Sequence, residues 1–148
     1  MTPQERDWMS QLLGVDAPWT VQDVRVARAD RAVQVQIGVQ AVERPRLFGP
    51  RRAPPPTARR LHWSHTSLAG MRCGIVLNLP EGTRIPDAAW AGDPELPFTH
   101  GLSRLVLDLM LDGATMAQLC RLLELPLGDL WKYKFRLDQG RARAPQAR

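Results

Sequence analysis

Six arginines, Arg44, Arg46, Arg51, Arg52, Arg59 and Arg60, fall within residues 44–60 of the 148-residue chain with no acidic residue among them. A second basic run, 132–148, sets Lys132, Lys134, Arg136, Arg141, Arg143 and Arg148 against Asp138 alone. Guanidinium and ammonium groups at this density neutralise phosphates, and each neutralised phosphate of duplex DNA releases condensed counterions. The formal charge of +5 therefore hides an uneven distribution: the two runs hold +6 and +5, and the rest of the chain holds −6. An acidic body with two basic patches is the electrostatic footprint of nucleic-acid binding. The bland alternative is that 18 arginines against two lysines reflect coding bias in a GC-rich genome.

The other residues capable of chemistry are sparse. A structural zinc takes four Cys or His ligands, whereas Cys73, Cys120, His62, His65 and His100 are scattered through unrelated segments, so no metal and no cofactor are expected. No Ser or Cys nucleophile stands at a recognisable spacing from a histidine, and there is no glycine-rich phosphate loop. Asp108, Asp112 and Asp129 read as solvated helix faces. An enzyme with a small-molecule substrate is thereby disfavoured, and a chain this short buries only about two thirds of its unfolded surface. Two cysteines are too few for a disulfide scaffold. No apolar stretch approaches the ~20 residues of a membrane span. The opening MTPQERDWMSQLL has acids and polar residues where a signal peptide has an apolar run, and a cytoplasmic protein is expected.

The elements that must carry the basic groups can be read from capping and periodicity. Thr2-Pro3-Gln4-Glu5 is a capping-box pattern ahead of Trp8, Met9, Leu12 and Leu13 at helical spacing, ended by Gly14. From Trp19 the period becomes two: Val21, Val24 and Val26, then Val33, Val35, Ile37 and Val39, with Arg28-Ala29-Asp30-Arg31 as the turn of a β-hairpin. Residues 44–60, with five prolines, read as an extended, polyproline-like basic loop. Leu61–His65 and Met71–Leu79 read as a second strand pair turning at Ala69-Gly70. Residues 81–98 read as a linker. Thr99 caps a helix from His100 to Leu111, Thr115 one from Met116 to Leu123, and Leu127-Gly128-Asp129 opens a last one through Leu137.

The expected architecture is α+β: a small antiparallel β region of two hairpins followed by a three-helix unit of helix-turn-helix type. The corresponding division is 1–80 for the helix and β region, 81–98 for the linker, 99–140 for the helical domain and 141–148 for a basic tail. Within 116–135, Cys120 is the small residue at the helix crossing, and Leu119, Leu123, Leu125, Leu130 and Tyr133 face inward. Two features depart from the usual pattern. Glu124 stands where the turn commonly has Gly to take a positive φ, and Pro126-Leu127 where the second helix commonly has a Ser or Thr cap. The outward face of that helix presents Leu127, Gly128, Trp131, Lys132 and Phe135. Base-edge reading favours Arg, Asn, Gln, Lys and Ser, which leaves Lys132 as the strong candidate, with Lys134, Arg136, Arg141 and Arg143 suited to phosphates.

An ordered set of short pieces runs through the chain: Leu12-Leu13-Gly14, Trp19-Thr20-Val21, Trp63-Ser64-His65, Met71-Arg72-Cys73, Pro97-Phe98-Thr99 and Gly113-Ala114-Thr115 before the helix-turn-helix. In order and spacing, from about residue 10 to 135, this resembles the N-terminal part of ISL-three-type insertion-sequence transposases. The resemblance implies a zinc-binding β region and a DNA-binding helix-turn-helix preceding a catalytic domain. The chain departs from the family where its zinc knuckle would stand. Arg44 and Leu47 occupy the cysteine places, and Leu79 to Ile85, where a second cluster would fall, contains no cysteine. The β region is then a degenerate zinc finger, and the acidic catalytic domain is missing from this sequence.

The leading expectation is a bacterial, non-enzymatic DNA-binding regulator. Arg51, Arg52, Arg59, Arg60, Trp131, Lys132, Lys134, Arg136, Arg141 and Arg143 would contact duplex DNA. The alternative is an adaptor that reuses the helix-turn-helix scaffold for a protein partner, with Trp8, Trp90, Trp131 and Phe135 as anchors. RNA or ribosome association is a third reading, since arginine-rich loops and exposed aromatics also suit single strands.

Overall fold

The computed structural model describes residues 1–40, 42–43, 52–53 and 55–143, with side chains described for 1–40 and 55–140. Thr2 opens helix α1 (Pro3–Leu13) with the expected capping box: its backbone N–H donates to Glu5 Oε2 at 2.7 Å, and Glu5 N–H donates to Thr2 Oγ1 at 3.2 Å. Gly14 ends the helix in the left-handed region, at φ 70°. The alternating valines form an antiparallel hairpin of β1 (Trp19–Ala27) and β2 (Ala32–Val39). Two-residue strands β3 (Val42–Glu43) and β4 (Arg52–Ala53) pair antiparallel as a separate ribbon. The second hairpin comprises β5 (Thr57–Leu68) and β6 (Met71–Pro80).

The fold class is α+β as expected, but the two hairpins are not separate. β2 and β6 pair in parallel, from Ala32 opposite Arg72 to Ile37 opposite Leu77, giving one mixed four-stranded sheet of order β1-β2-β6-β5. The basic loop is also shorter than predicted. β5 begins at Thr57, so Arg59 and Arg60 lie in a strand opposite Leu79 and Asn78. This part of β5 carries exposed side chains only, so it lacks the alternation that would mark a strand.

Three helices follow, α2 (His100–Leu111), α3 (Met116–Leu123) and α4 (Leu127–Arg143), the last extending beyond the predicted Leu137. Thr99 caps α2 by accepting from Leu102 N–H, and Thr115 forms a capping box with Gln118. Two apolar clusters result. One lies on a single face of the sheet, where Val21, Val33, Val35, Ile37, Trp63, Ile75 and Leu77 pack against Leu13 and Val15 and against Trp90 and Ala91. The other joins the helices through Phe98, Leu102, Val106, Leu119, Leu125, Leu130 and Tyr133. Burial of each such large apolar side chain stabilises by roughly 1.5–3 kcal/mol. Among the described residues no helix is long and apolar enough to cross a membrane.

Segment 81–98 is packed rather than a free linker. Trp90 meets Trp19 edge-on, with ring centroids 5.8 Å apart, and Phe98 meets Tyr133 likewise at 5.7 Å. Trp90, one of the anchors considered for a partner, is 1% exposed and belongs to the core. Backbone pairing runs on from β5: Ser64 N–H donates to Pro97 O at 2.8 Å and Thr99 N–H to Ser64 O at 3.0 Å. Trp63 Nε1 donates to Asp93 O at 2.8 Å, and a Cβ at Gly92 would fall 2.6 Å from Phe98 O and 3.0 Å from Trp63 Nε1. Only glycine lets the backbone approach the indole this closely.

Candidate nucleic-acid interface

The helix-turn-helix candidate is α3, a short turn and α4. Leu119 is fully buried on α3, Leu125 is buried in the turn, and Leu130 and Tyr133 are buried on α4. Tyr133 Oη donates to Ser103 O at 2.9 Å, fastening α4 to α2; burial and then the nearby Asp108 carboxylate push its hydroxyl pKa up. Glu124 adopts φ 53°, ψ 45°, the conformation for which the motif usually uses glycine. A left-handed non-glycine residue costs roughly 1–2 kcal/mol. Its carboxylate meets Arg31 at 3.4 Å, and Arg31 also donates to Gly70 O at 3.0 Å, so this turn is tied to both hairpin turns of the sheet.

The outward side of α4 is exposed as predicted, but its character is largely apolar. Leu127 (50%), Trp131 (51%) and Phe135 (64%) are exposed there, with Leu122 (63%) on α3; Lys132 is exposed beside them. Two other predicted phosphate ligands already have partners. Lys134 meets Asp138 at 3.5 Å and lies 5.6 Å from the centre of the Trp131 ring. Arg136 meets Glu95 at 3.1 Å and Asp93 at 3.8 Å. Surface pairs of this kind contribute about 0–1 kcal/mol, so a phosphate can displace them, and among the described side chains Lys132 has no such pair. Arg51 lies outside the described residues, as do the side chains of Arg52, Arg141 and Arg143. Arg59 and Arg60 are exposed on β5.

A polar surface that the sequence reading did not single out lies on the sheet face opposite the core. The pairing register aligns Arg25, Gln34, Gly74 and Ser64 in one row across the four strands, and Asp23, Gln36, Val76 and His62 in the next. A third row includes Gly38, Asn78 and Arg60. Gln34 Nε2 reaches His62 Nε2 at 3.0 Å across Gly74. Gly38 leaves the space that the Gln22 side chain occupies: a Cβ there would overlap it, and Gln22 Oε1 accepts from Asn78 Nδ2 at 2.8 Å. The signal in the sequence was the glutamines alternating with valines in β1 and β2. The strand order that gathers them on one surface depends on the parallel β2–β6 pairing.

This face and the α3–α4 turn open onto a common cleft of about 410 Å³, with Arg25, Gln34 and Arg72 on the sheet side and Glu124, Leu125 and Pro126 on the other. The groups around it offer hydrogen bonding and positive charge. His65 is held at the seam, its Nδ1 2.7 Å from Thr99 Oγ1, and burial lowers its pKa. Cys73 is buried and its thiol is pushed up to about 11 by desolvation, which makes it a core residue rather than a nucleophile. Among the described residues, no three His, Cys, Asp or Glu side chains converge as metal ligands would. Comparison with protein-family models, with curated proteins and with solved structures finds no match to the chain.

Proposed function

We propose that the chain is a non-enzymatic, regulatory DNA-binding protein whose helical unit seats on duplex DNA. The observation that supports this best is the α3–α4 pair. Its inward residues Leu119, Leu125, Leu130 and Tyr133 are buried, its turn takes the left-handed conformation at Glu124, and the far side of α4 is exposed with Lys132 at the head of a basic run. The resemblance to the DNA-recognition region of ISL-three-type transposases points the same way. In this reading Lys132, exchangeable Lys134 and Arg136, and the basic segments contact phosphates, and the natural roles are regulation or end recognition for a separate transposase. The test is a gel-shift titration with random duplex DNA between 50 and 200 mM salt, over which a protein making several phosphate contacts loses about three or more orders of magnitude in affinity. Absence of any shift at low salt overturns the proposal.

The exposed Leu122, Leu127, Trp131 and Phe135 favour a second reading, a helical surface for a protein partner, since aromatic anchors typify interface hot spots. A partner recovered by pull-down that survives nuclease treatment, and is lost in Trp131→Ala with Phe135→Ala, supports it; retention by that variant contradicts it.

A further inference from the structure

We propose that the polar face of the β-sheet reads base edges in the major groove of duplex DNA, while the helical unit supplies anchoring to the backbone. This rests on the DNA-binding reading above and concerns which surface carries sequence recognition.

The argument begins with residue type. Reading adenine takes a bidentate amide, and reading guanine takes an arginine or lysine. Among the described side chains, the exposed side of α4 has Lys132 and, two turns on, the partly exposed Gln139, among Leu127, Trp131 and Phe135. The sheet face has Gln22, Gln34, Gln36 and Asn78 as amides, with Arg25, Arg60 and His62 around them. Placement follows the same division. The amides of Gln34, Gln36 and Asn78 stand on the central strands β2 and β6, and the arginines Arg25 and Arg60 on the outer strands β1 and β5. With strands ~4.8 Å apart and ~3.3 Å per residue along them, the two central strands make a ribbon of the width that the ~12 Å B-DNA major groove admits. Arg25 and Arg60, two register rows apart on opposite outer strands, stand roughly 20 Å apart on a diagonal that straddles it. Amides would therefore meet base edges while the arginines reach the flanking phosphates.

Charge agrees with this occupant. Among the described side chains of the face, Arg25, Arg60 and Arg72 stand against Asp23 alone, which pairs with Arg25 at 3.2 Å in an exposed bridge that a phosphate can displace, and the Arg72 guanidinium donates to the neutral Asp30 carbonyl. The amides are also held in place. Gln34 is fixed by His62 and Asn78 by Gln22, the latter in space that Gly38 leaves open. Each amide has further donor and acceptor positions left for a base. The cleft beside Arg25, Gln34 and Arg72 borders the α3–α4 turn, so one duplex can engage both surfaces.

The test is selection by the full chain from a duplex pool with a randomised core of about 20 base pairs, two helical turns. The wild type is expected to enrich a motif and bind it at least about tenfold more tightly than the unselected pool, the discrimination of a single good bidentate contact. Gln34→Ala with Gln36→Ala should bind motif and pool alike. Gln34→Glu with Gln36→Glu keeps side-chain size, which guards against a folding defect; it should lose the preference and weaken binding to every duplex. Enrichment of no motif, or an unchanged preference in both variants, overturns sheet readout while leaving the DNA-binding proposal intact. No binding to the pool overturns both. Equal binding of an RNA duplex also overturns sheet readout, because the narrow A-form major groove excludes side chains.

Discussion

The exposed face of the sheet, which borders the cleft at the α3–α4 turn, and the exposed face of α4 are built from different chemistry. The sheet face is assembled from amides, arginines and an imidazole, cross-linked by the Gln34–His62 and Asn78–Gln22 contacts. The face of α4 is assembled from Leu127, Trp131 and Phe135 around Lys132. The packing of the α3–α4 pair therefore does not by itself say what its exposed side contacts. The packing of Leu119, Leu125, Leu130 and Tyr133 makes the helix pair, and none of those residues decides what its outer side contacts. The exposed side of the helix is mostly apolar, and the amides and arginines belong to the strands.

The most disruptive way to break the comparison is through the seam between the two regions. Trp63 is buried on β5 and donates to Asp93 O in segment 81–98, so Trp63→Ala should destabilise by about 3–5 kcal/mol. If sheet and helices unfold as one unit, denaturant curves followed by helical circular dichroism and by tryptophan fluorescence shift together. A helical signal that stays in place would show two independently folding regions. A smaller effect isolates the helical side: Tyr133→Phe removes the bond to Ser103 O and should cost about 1 kcal/mol in the same titration. Glu124→Gly should raise stability, by up to about 1 kcal/mol. It relieves the left-handed strain but gives back part of that gain through the unfolded chain's greater freedom and the lost Arg31 contact.

The smallest expected effect is a pH dependence at His65. Burial holds its folded pKa below the usual 6.5, so the unfolded state binds the proton more readily. Its contribution to stability is present above pH ~6.5 and is lost as pH falls through the lower folded value. Thermal midpoints should drop on going from about pH 7.5 to 5.5. His65→Asn, which keeps an acceptor for Thr99, should show a shallower drop; an equal drop would assign the dependence to other groups.

The helices were legible because their signals are local. Thr2 with Glu5, Thr99, and Thr115 with Gln118 announce helix starts within a single turn. The hairpins were legible for the same reason, from the period of the valines and the turns at 28–31 and 69–70. What could not be read was non-local. Nothing in Val33–Ile37 specifies Cys73–Leu77 as a parallel neighbour, and the polar face exists only once that pairing is made. Trp90 and Phe98 sit in a stretch without periodicity, and their burial is decided by Trp19 and Tyr133, distant in sequence. The outer face of α4 was legible residue by residue, but the pairing of Arg136 with Asp93 and Glu95 was not.

The most direct test of a division between anchoring and reading is the salt dependence of binding to the selected duplex, measured for the wild type, for Lys132→Ala and for Gln34→Ala with Gln36→Ala. Loss of one phosphate contact on B-DNA reduces the slope of log K against log salt by about 0.9. The account predicts that reduction for Lys132→Ala with sequence preference intact, and an unchanged slope with preference abolished for the glutamine variant. A glutamine variant that keeps its preference, or a Lys132→Ala protein that loses it, would contradict the account.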